Sequence, residues 1–428
     1  MASRLGGDSR MIYSLGDRIP FGKLILFAIQ MMLSVFVATV LIANICGVAV
    51  SGALVGAGCG TLAYILITKG QSPMFISNSG AFVAPIIIAL TSCGYEGAVI
   101  GCFVIWIVYT IFGLIFSHVP VESIYKIFPK SLIGAVTVVI GINLMPFILT
   151  YVQINGKTNM WGISVAIITM IAIALFSHYA KGIVKILPFL LGTLVGYAYA
   201  VVLTITNIFP VVDFSVFENM RLFALPDLAI SHVNWYKFIE LPQLIPLIIL
   251  FIAYTISAMM EALSDHAALG GIIGIDLYQR PGLNRIFAGE GLANAVSGLL
   301  GGLGACSYGE GVACVGFSRV ASAKVSGAAA LILILMGFFV PIQAFISSIP
   351  ACVFAGAAIV LYGFIACSGI KMLQQVDLNG QKNLIIVSAV LSLGISGLAI
   401  GGTDFSISAT ALALIAGIIL NLILKDKD

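Results

Sequence analysis

The chain has 428 residues, of which 61% are hydrophobic and only 9% charged, with a formal net charge of +3. Soluble domains carry about 25% charged residues, so this composition excludes a chain whose whole surface faces water. The small net charge, with no basic patch interleaved with aromatics, also argues against a nucleic-acid partner.

The N-terminal stretch MASRLGGDSRMIYSLGDRIPFGK is polar and too mixed for a cleaved signal peptide. Beyond it, apolar runs recur to the end of the sequence, each near the ~20 residues that cross a hydrocarbon core as helix. Only helices or closed barrels satisfy their backbone in lipid, and these runs are continuous rather than alternating, so they predict helices. Fourteen such segments are centred near residues 34, 58, 82, 107, 141, 168, 195, 252, 293, 313, 336, 360, 392 and 415. Cytoplasmic loops are enriched in Lys and Arg. With both termini cytoplasmic, only Lys157, Arg221 and Lys237 of the 20 basic residues fall outside. The fold class expected is an all-α, multi-pass protein of the cell membrane, surrounded by lipid.

The longest connection, about Ile208 to Leu244, divides the spans seven and seven. An odd-numbered half followed by its copy enters the membrane inverted. Spans five and twelve carry a trace of such a copy. FPKSLIGAVTVVIG (128–141) and IPACVFAGAAIVLYG (349–363) each hold a proline, then two glycines seven residues apart. Spans three and ten, SPMFISNSGAFVAP (72–85) and CSYGEGVACVGFSR (306–319), are the two segments most interrupted by Gly, Ser, Pro and Asn. Paired broken segments at equivalent places in two halves point to a transporter's binding site near the bilayer midplane. Small residues also let helices pack closely, which accounts for many of the 46 glycines. The equivalent placement favours the site.

Acidic residues within the spans sharpen the choice, because a carboxylate in a bilayer costs several kcal/mol and usually faces a cavity with a task. Glu261 and Asp265, in SAMMEALSDHAALGG, are four apart and share a helix face. Glu310 lies in broken span ten. No basic residue occurs in the middle of a span to pair with them. Asp265 lies nearer the cytoplasmic end and reads equally as a solvated acid or as part of the site. His266 reads as an interfacial histidine, and Glu290, in FAGEGLANAVSG, reads either as a loop acid or as part of the site. Asp404, in GGTDFS, reads as a helix N-cap. The eight cysteines, without C-x-x-C spacing, read as small buried residues, neither disulfide-bonded nor metal ligands.

YGEG followed by GFSR, with RPGLNRIFAGEGLANAVSGLLGG before them, resembles the nucleobase–ascorbate transporter family (nucleobase:cation symporter family 2), and its bacterial uracil permeases in particular. The resemblance extends to FAIQMMLSVFVATVLIANI in span one, SNSGAFVAP in span three and the proline-led spans five and twelve. It implies an inverted seven-plus-seven fold with a core domain (1–120, spans one to four, and 235–347, spans eight to eleven) and a gate domain (121–234, spans five to seven, and 348–428, spans twelve to fourteen). Spans three and ten would be half-helices, each led by a short strand, with the strands paired at the centre. By resemblance, Glu261 and Glu310 contact the base, as do the backbones of Tyr308, Gly309 and Gly80. Glu261, Asp265 and Glu290 are the proton-coupling candidates. The family's span-one Gln-His is here Gln30-Met31, so any role of that histidine is lost. Gly80 stands where uracil permeases often have an aromatic, which implies a larger pocket. Glu310 speaks for a pyrimidine, whereas Asp265, Glu290 and Gly80 allow a purine such as xanthine. A homodimer through the gate domain is a further implication.

The sequence holds no G-x-x-x-x-G-K-[ST], so an ion gradient is the expected energy source, protons first and sodium second, with no cofactor. Sulfate-permease-like anion carriers are a rival, but they usually carry a C-terminal domain not expected here, and two acids at the site would repel an anion. A membrane enzyme is the rival from another class. It lacks support, since no metal-ligand cluster, H-E-x-x-H or nucleophile elbow occurs.

Overall fold

The computed structural model describes residues 11–118, 126, 128–154, 157–181, 184, 187–218, 221–234, 244–398, 400–401, 406–407 and 409–424. Asp404 lies outside them. In chain order the main elements are α1 (Phe21–Cys46), α2 (Val50–Ile67), β1 (Ile76–Asn78) and α3 (Val83–Phe116). There follow α4 (Lys130–Leu144), α5 (Pro146–Val152), α6 (Met160–Tyr179), α7 (Pro188–Ile205) and α8 (Leu244–Ile273). The rest are α9 (Leu283–Gly301), β4 (Ala305–Ser307), α10 (Gly309–Ser318), α11 (Ala323–Phe338), α12 (Val340–Ser348), α13 (Ala351–Leu373), α14 (Gln381–Ile395) and α15 (Ala409–Ile423). Two-residue strand pairs, β2 (Gln153–Ile154) with β3 (Lys157–Thr158) and β5 (Ile400–Gly401) with β6 (Ser406–Ile407), close short hairpins.

Each of the fourteen expected centres falls in a helical segment, and α5 and α12 are short additions. Seven helices are long and apolar enough to cross a membrane, and four more are apolar but shorter, among the described residues. The chain is a multi-pass membrane protein. Spans three and four form one helical run broken at Gly94, whose φ of 66° and ψ of −158° belong to no right-handed helix. Glycine has no Cβ to oppose that geometry.

Helices α1, α2, α3, α8, α9, α10 and α11 pack mainly among themselves, and α4, α6, α7, α13, α14 and α15 do likewise. Within the first set, α2 and α9 share the most extensive contact. Gly52, Gly56 and Gly60 on α2 recur every four residues, as do Ala293, Ser297 and Gly301 on α9. A Cβ added at Gly56 would stand 3.0 Å from Ser297 O, and one at Gly60 would stand 3.0 Å from Ala293 O. With no hydrophobic drive between helices in lipid, such small-residue seams supply the van der Waals contact that holds them together.

The described part of the long connection folds onto the first set. Asp227 N donates to Ser51 Oγ (3.0 Å), Asn234 N donates to Glu96 Oε1 (2.9 Å), and the Tyr95 and His232 rings stack at 4.9 Å. Just upstream, Val211 N and Val212 N both donate to Thr204 Oγ1 of α7 (3.2 Å each). Glu96 is a buried acid that the sequence reading passed over. Of the eight cysteines, all free, Cys59 is half-buried and Cys367 exposed, so the expectation that all are buried fails for these two.

Candidate functional site

β1 and β4 pair antiparallel, Ile76 opposite Ser307, Ser77 opposite Cys306 and Asn78 opposite Ala305. Ser79 N extends the ladder, donating to Gly304 O at 2.9 Å. Each strand runs straight into a helix start. After β1, Ser79 caps the turn Gly80–Phe82 by accepting from Ala81 N at 3.2 Å. After β4, Tyr308 holds the N-cap position of α10 without a side-chain cap bond, and the first helical bond is Val312 N to Tyr308 O at 3.1 Å. The N–H groups of Gly309, Glu310 and Gly311 therefore have no backbone partner within the helix, and that of Glu310 is met by its own carboxylate. The N-terminal ends of helices present such donors with a partial positive charge, suited to acceptor groups of a ligand.

A cavity of about 100 Å³ opens where these two helix starts meet α8 and α13. Ser79, Gly80 and Ala81 line it from one strand end, and Ser307, Tyr308, Gly309 and Glu310 from the other. Glu261 projects from α8, and Leu361, Phe364 and Ile365 form an apolar wall on α13. The structure thus brings Glu261, Glu310, Gly309, Tyr308 and Gly80 around one space, from segments far apart in sequence. The room expected beside Gly80 is occupied: a Cβ there would meet Ile365 Cδ1 at 3.0 Å and Leu361 Cδ2 at 3.9 Å. A second cavity, of about 110 Å³, shares Glu310 and Phe364 with the first and reaches Leu187 and Pro188 at the start of α7. Glu310 and Phe364 therefore stand between two chambers.

Asp265 and Glu290 sit behind the cavity. Asp265 neighbours Ser307, its Oδ1 would lie 3.7 Å from a Cβ on Gly309, and its buried Oδ2 has no hydrogen-bond partner. It is half-buried, with one carboxylate oxygen closed off from solvent. Glu290 is wholly buried within α9, so it is no loop acid. Its carboxylate faces the Tyr109 hydroxyl, Ser307 and the Cys306 thiol, the last at 3.9 Å. His266 is buried, not interfacial, because α2 and α9 cover it. Its Nδ1 lies 2.7 Å from Ala262 O and 3.8 Å from Glu290 Oε1, and its Nε2 is 2.7 Å from Tyr64 Oη. Gln30 Nε2, on α1, is buried without a partner, and Met31 beside it is buried too. No group of three or more His, Cys, Asp or Glu able to hold a metal occurs among the described residues.

A family model described as "Permease family", that of the xanthine and uracil permeases, matches residues 22–401. The chain is 35% identical over 424 residues to a uracil permease of Bacillus caldolyticus, covering 98% of this chain and 96% of the relative. It is 33% identical to a uracil permease of Bacillus subtilis, covering 94% and 92%. Its fold is similar to that of the transmembrane domain of a cyanobacterial bicarbonate transporter, BicA, with a TM-score of 0.61 at 15% identity, covering 96% of this chain and 99% of that one.

Proposed function

This chain belongs to the xanthine/uracil permease family and is a transporter, not an enzyme; on that premise we propose that it carries a nucleobase, a uracil-type pyrimidine, into the cell across the plasma membrane. The observation that carries this reading is the cavity in which two carboxylates, Glu261 and Glu310, face two helix starts across a small space. A pyrimidine ring edge alternates N–H and C=O groups. Carboxylates accept strongly from ring N–H, and the N–H groups of Gly309 and Gly311 at the helix start answer ring carbonyls. The apolar wall of Leu361, Phe364 and Ile365 covers a ring face. That Ile365 and Leu361 fill the room beside Gly80 favours a single ring over a purine.

Coupling to protons completes the proposal. Glu261 lines the cavity, while Asp265 and Glu290 stand behind it, so ligand and proton share one neighbourhood. A carboxyl group whose surroundings change with ligand occupancy takes up or releases a proton. Alternating access would follow from movement of the helix set carrying α8 and α10, the core, against the set carrying α13, the gate. The packing of helices into two sets supports this, and the pairing of β1 with β4 supports an inverted repeat. A dimer through the gate set and cytoplasmic termini belong to the same proposal.

The test is thermal shift of purified protein against uracil, thymine, xanthine, hypoxanthine, guanine, adenine and urate. Stabilisation by uracil and thymine first is expected; stabilisation by purines alone would replace the pyrimidine reading, and by none would remove the nucleobase reading. Accumulation of unchanged uracil in proteoliposomes only when a proton gradient is imposed would support coupling.

A further inference from the structure

A two-stranded ribbon has two outer edges, and within a membrane protein the backbone groups on those edges need partners from the protein itself. The pair β1–β4 is such a ribbon. On each strand, one residue has both its N–H and its C=O closed by a single side chain from a neighbouring helix. On β1 the residue is Ile76: Thr61 Oγ1 of α2 donates to Ile76 O at 2.5 Å and accepts from Ile76 N at 3.2 Å. On β4 it is Ala305: Asn294 Oδ1 of α9 accepts from Ala305 N at 2.7 Å, while Asn294 Nδ2 donates to Ala305 O at 2.8 Å. The same Nδ2 also donates to Glu290 O, one turn back on its own helix, at 2.9 Å, which fixes the amide's orientation. Both side chains belong to wholly buried residues, and neither lines the cavity.

The two contacts lie at one level of the α2–α9 seam. Thr61 follows Gly60, whose missing Cβ admits Ala293 O, and Asn294 follows Ala293. The small-residue seam and the two polar side chains therefore act on the same point: the seam sets how far apart α2 and α9 stand, and the side chains hang one strand from each. From Ile76 the chain reaches Gly80 in four residues, and from Ala305 it reaches Gly309 in four. A strand displaced sideways takes its helix start, and the donors there, with it.

We propose that Thr61 and Asn294 are a matched pair of positioning residues, each holding one strand so that Gly80, Tyr308 and Gly309 meet the ligand. The chemistry of each is specific. A threonine hydroxyl both donates and accepts, whereas valine has the same shape and does neither. An asparagine amide imitates a strand's own peptide group. Aspartate keeps the acceptor but loses the donor, and leucine loses both. Neither residue touches ligand, so their effect is on the placement of backbone donors, which decides affinity when hydrogen bonds are as directional as these.

The proposal rests on the cavity being the nucleobase site, and the experiment separates the two ideas. Purified parent, Thr61→Ser, Thr61→Val, Asn294→Asp and Asn294→Leu are compared by hydrogen–deuterium exchange and by uracil uptake in proteoliposomes. Exchange should quicken in the peptides covering 73–82 and 304–312 in Thr61→Val and Asn294→Leu, remain at the parent rate in Thr61→Ser, and fall between in Asn294→Asp. Uptake KM should rise about tenfold in Thr61→Val and Asn294→Leu, the loss expected when backbone groups go unpaired. Maximal rate per folded carrier should stay within about twofold of the parent, and Thr61→Ser should recover the KM. Unchanged strand exchange overturns the proposal. So does lowered stability throughout the chain with an unchanged KM in the surviving protein, which would make both residues simple packing groups. A parent that binds no nucleobase sinks the functional reading, while the exchange comparison still decides whether the strands hang from these two side chains. If Asn294→Leu does not fold, Asn294→Asp and the threonine series decide alone.

Discussion

Gly80 and Ile365 face each other across the cavity, so closely that a Cβ on Gly80 would stand 3.0 Å from Ile365 Cδ1. That atom is the end of a flexible side chain and can give way, so Gly80→Ala should fold like the parent while shrinking the space. A methyl-sized change in an apolar pocket is worth about 1–3 kcal/mol, or 10- to 200-fold. Competition against labelled uracil uptake should show xanthine losing about tenfold or more and uracil much less. Adding Ile365→Val should restore both. Equal losses for the two bases would show that this wall does not set ligand size.

Glu261→Gln keeps volume and an acceptor but cannot bind and release a proton. Uphill accumulation in proteoliposomes with an imposed proton gradient should cease, while exchange of internal for external uracil continues. Gradient-driven accumulation by this variant would move the coupling role elsewhere, with Asp265 the first alternative because it lies behind the same strand end.

For Glu310 the expected effect is on affinity. A hydrogen bond to a charged group contributes about 1.5–3 kcal/mol and a neutral one about 0.5–1.5. Glu310→Gln should therefore lose about 1–2 kcal/mol, on the order of tenfold, in uracil affinity by calorimetry. Its amide donor suits a ring carbonyl, so relative preference should move toward xanthine. Glu310→Ala should bind more weakly than Glu310→Gln. Parent-like affinity in both variants would make Glu310 a structural acid.

The carboxylates and the broken spans were legible in the sequence because each violates a rule of the bilayer. A charge without a partner and a helix interrupted by Gly, Ser and Pro both stand out against apolar runs. Leu361, Phe364 and Ile365 were not legible, since a cavity wall in an apolar helix looks like any other turn of that helix. Thr61 and Asn294 were hidden for a different reason. Each sits among small residues, in GCGTLAY and GLANAVSG, where a polar side chain passes for helix packing. Their task appears only when α2 and α9 are laid beside strands from other parts of the chain. His266 was misplaced because the helix face alone says nothing about Tyr64 and Glu290, which come from two other helices and enclose it.

Hydrogen bonds link the first helix set to α5 and to the second set: Tyr151 Oη of α5 to Ile45 O (3.0 Å), Tyr254 Oη to Thr410 Oγ1 (3.4 Å), and Thr137 Oγ1 with Ser257 Oγ (3.0 Å). The first two lie toward the face that carries the long connection. Removing both with Tyr151→Phe and Thr410→Val should cost the observed arrangement of the helices about 1–3 kcal/mol, a shift of about fivefold or more. A cysteine at cavity residue Ala81, in a background without Cys367, should then react faster with an impermeant reagent applied from that face. An unchanged labelling rate would show that these contacts do not hold that side shut.

The long connection leaves α7, in one helix set, yet ends bound to the other. Val211 and Val212 stay tied to Thr204, whereas Leu222 O accepts from Val340 N, Ala224 N donates to Phe338 O, and Asp227 grips Ser51. The described segment is therefore fastened to α7 through Val211 and Val212 and to the first set through Ala224 and Asp227, and between these points the short helix Ser215–Phe217 packs against α12. If the two sets move past each other as proposed, this doubly fastened connection has to yield with them, so its ties, and not only the chemistry of the cavity, would bear on how far the carrier travels.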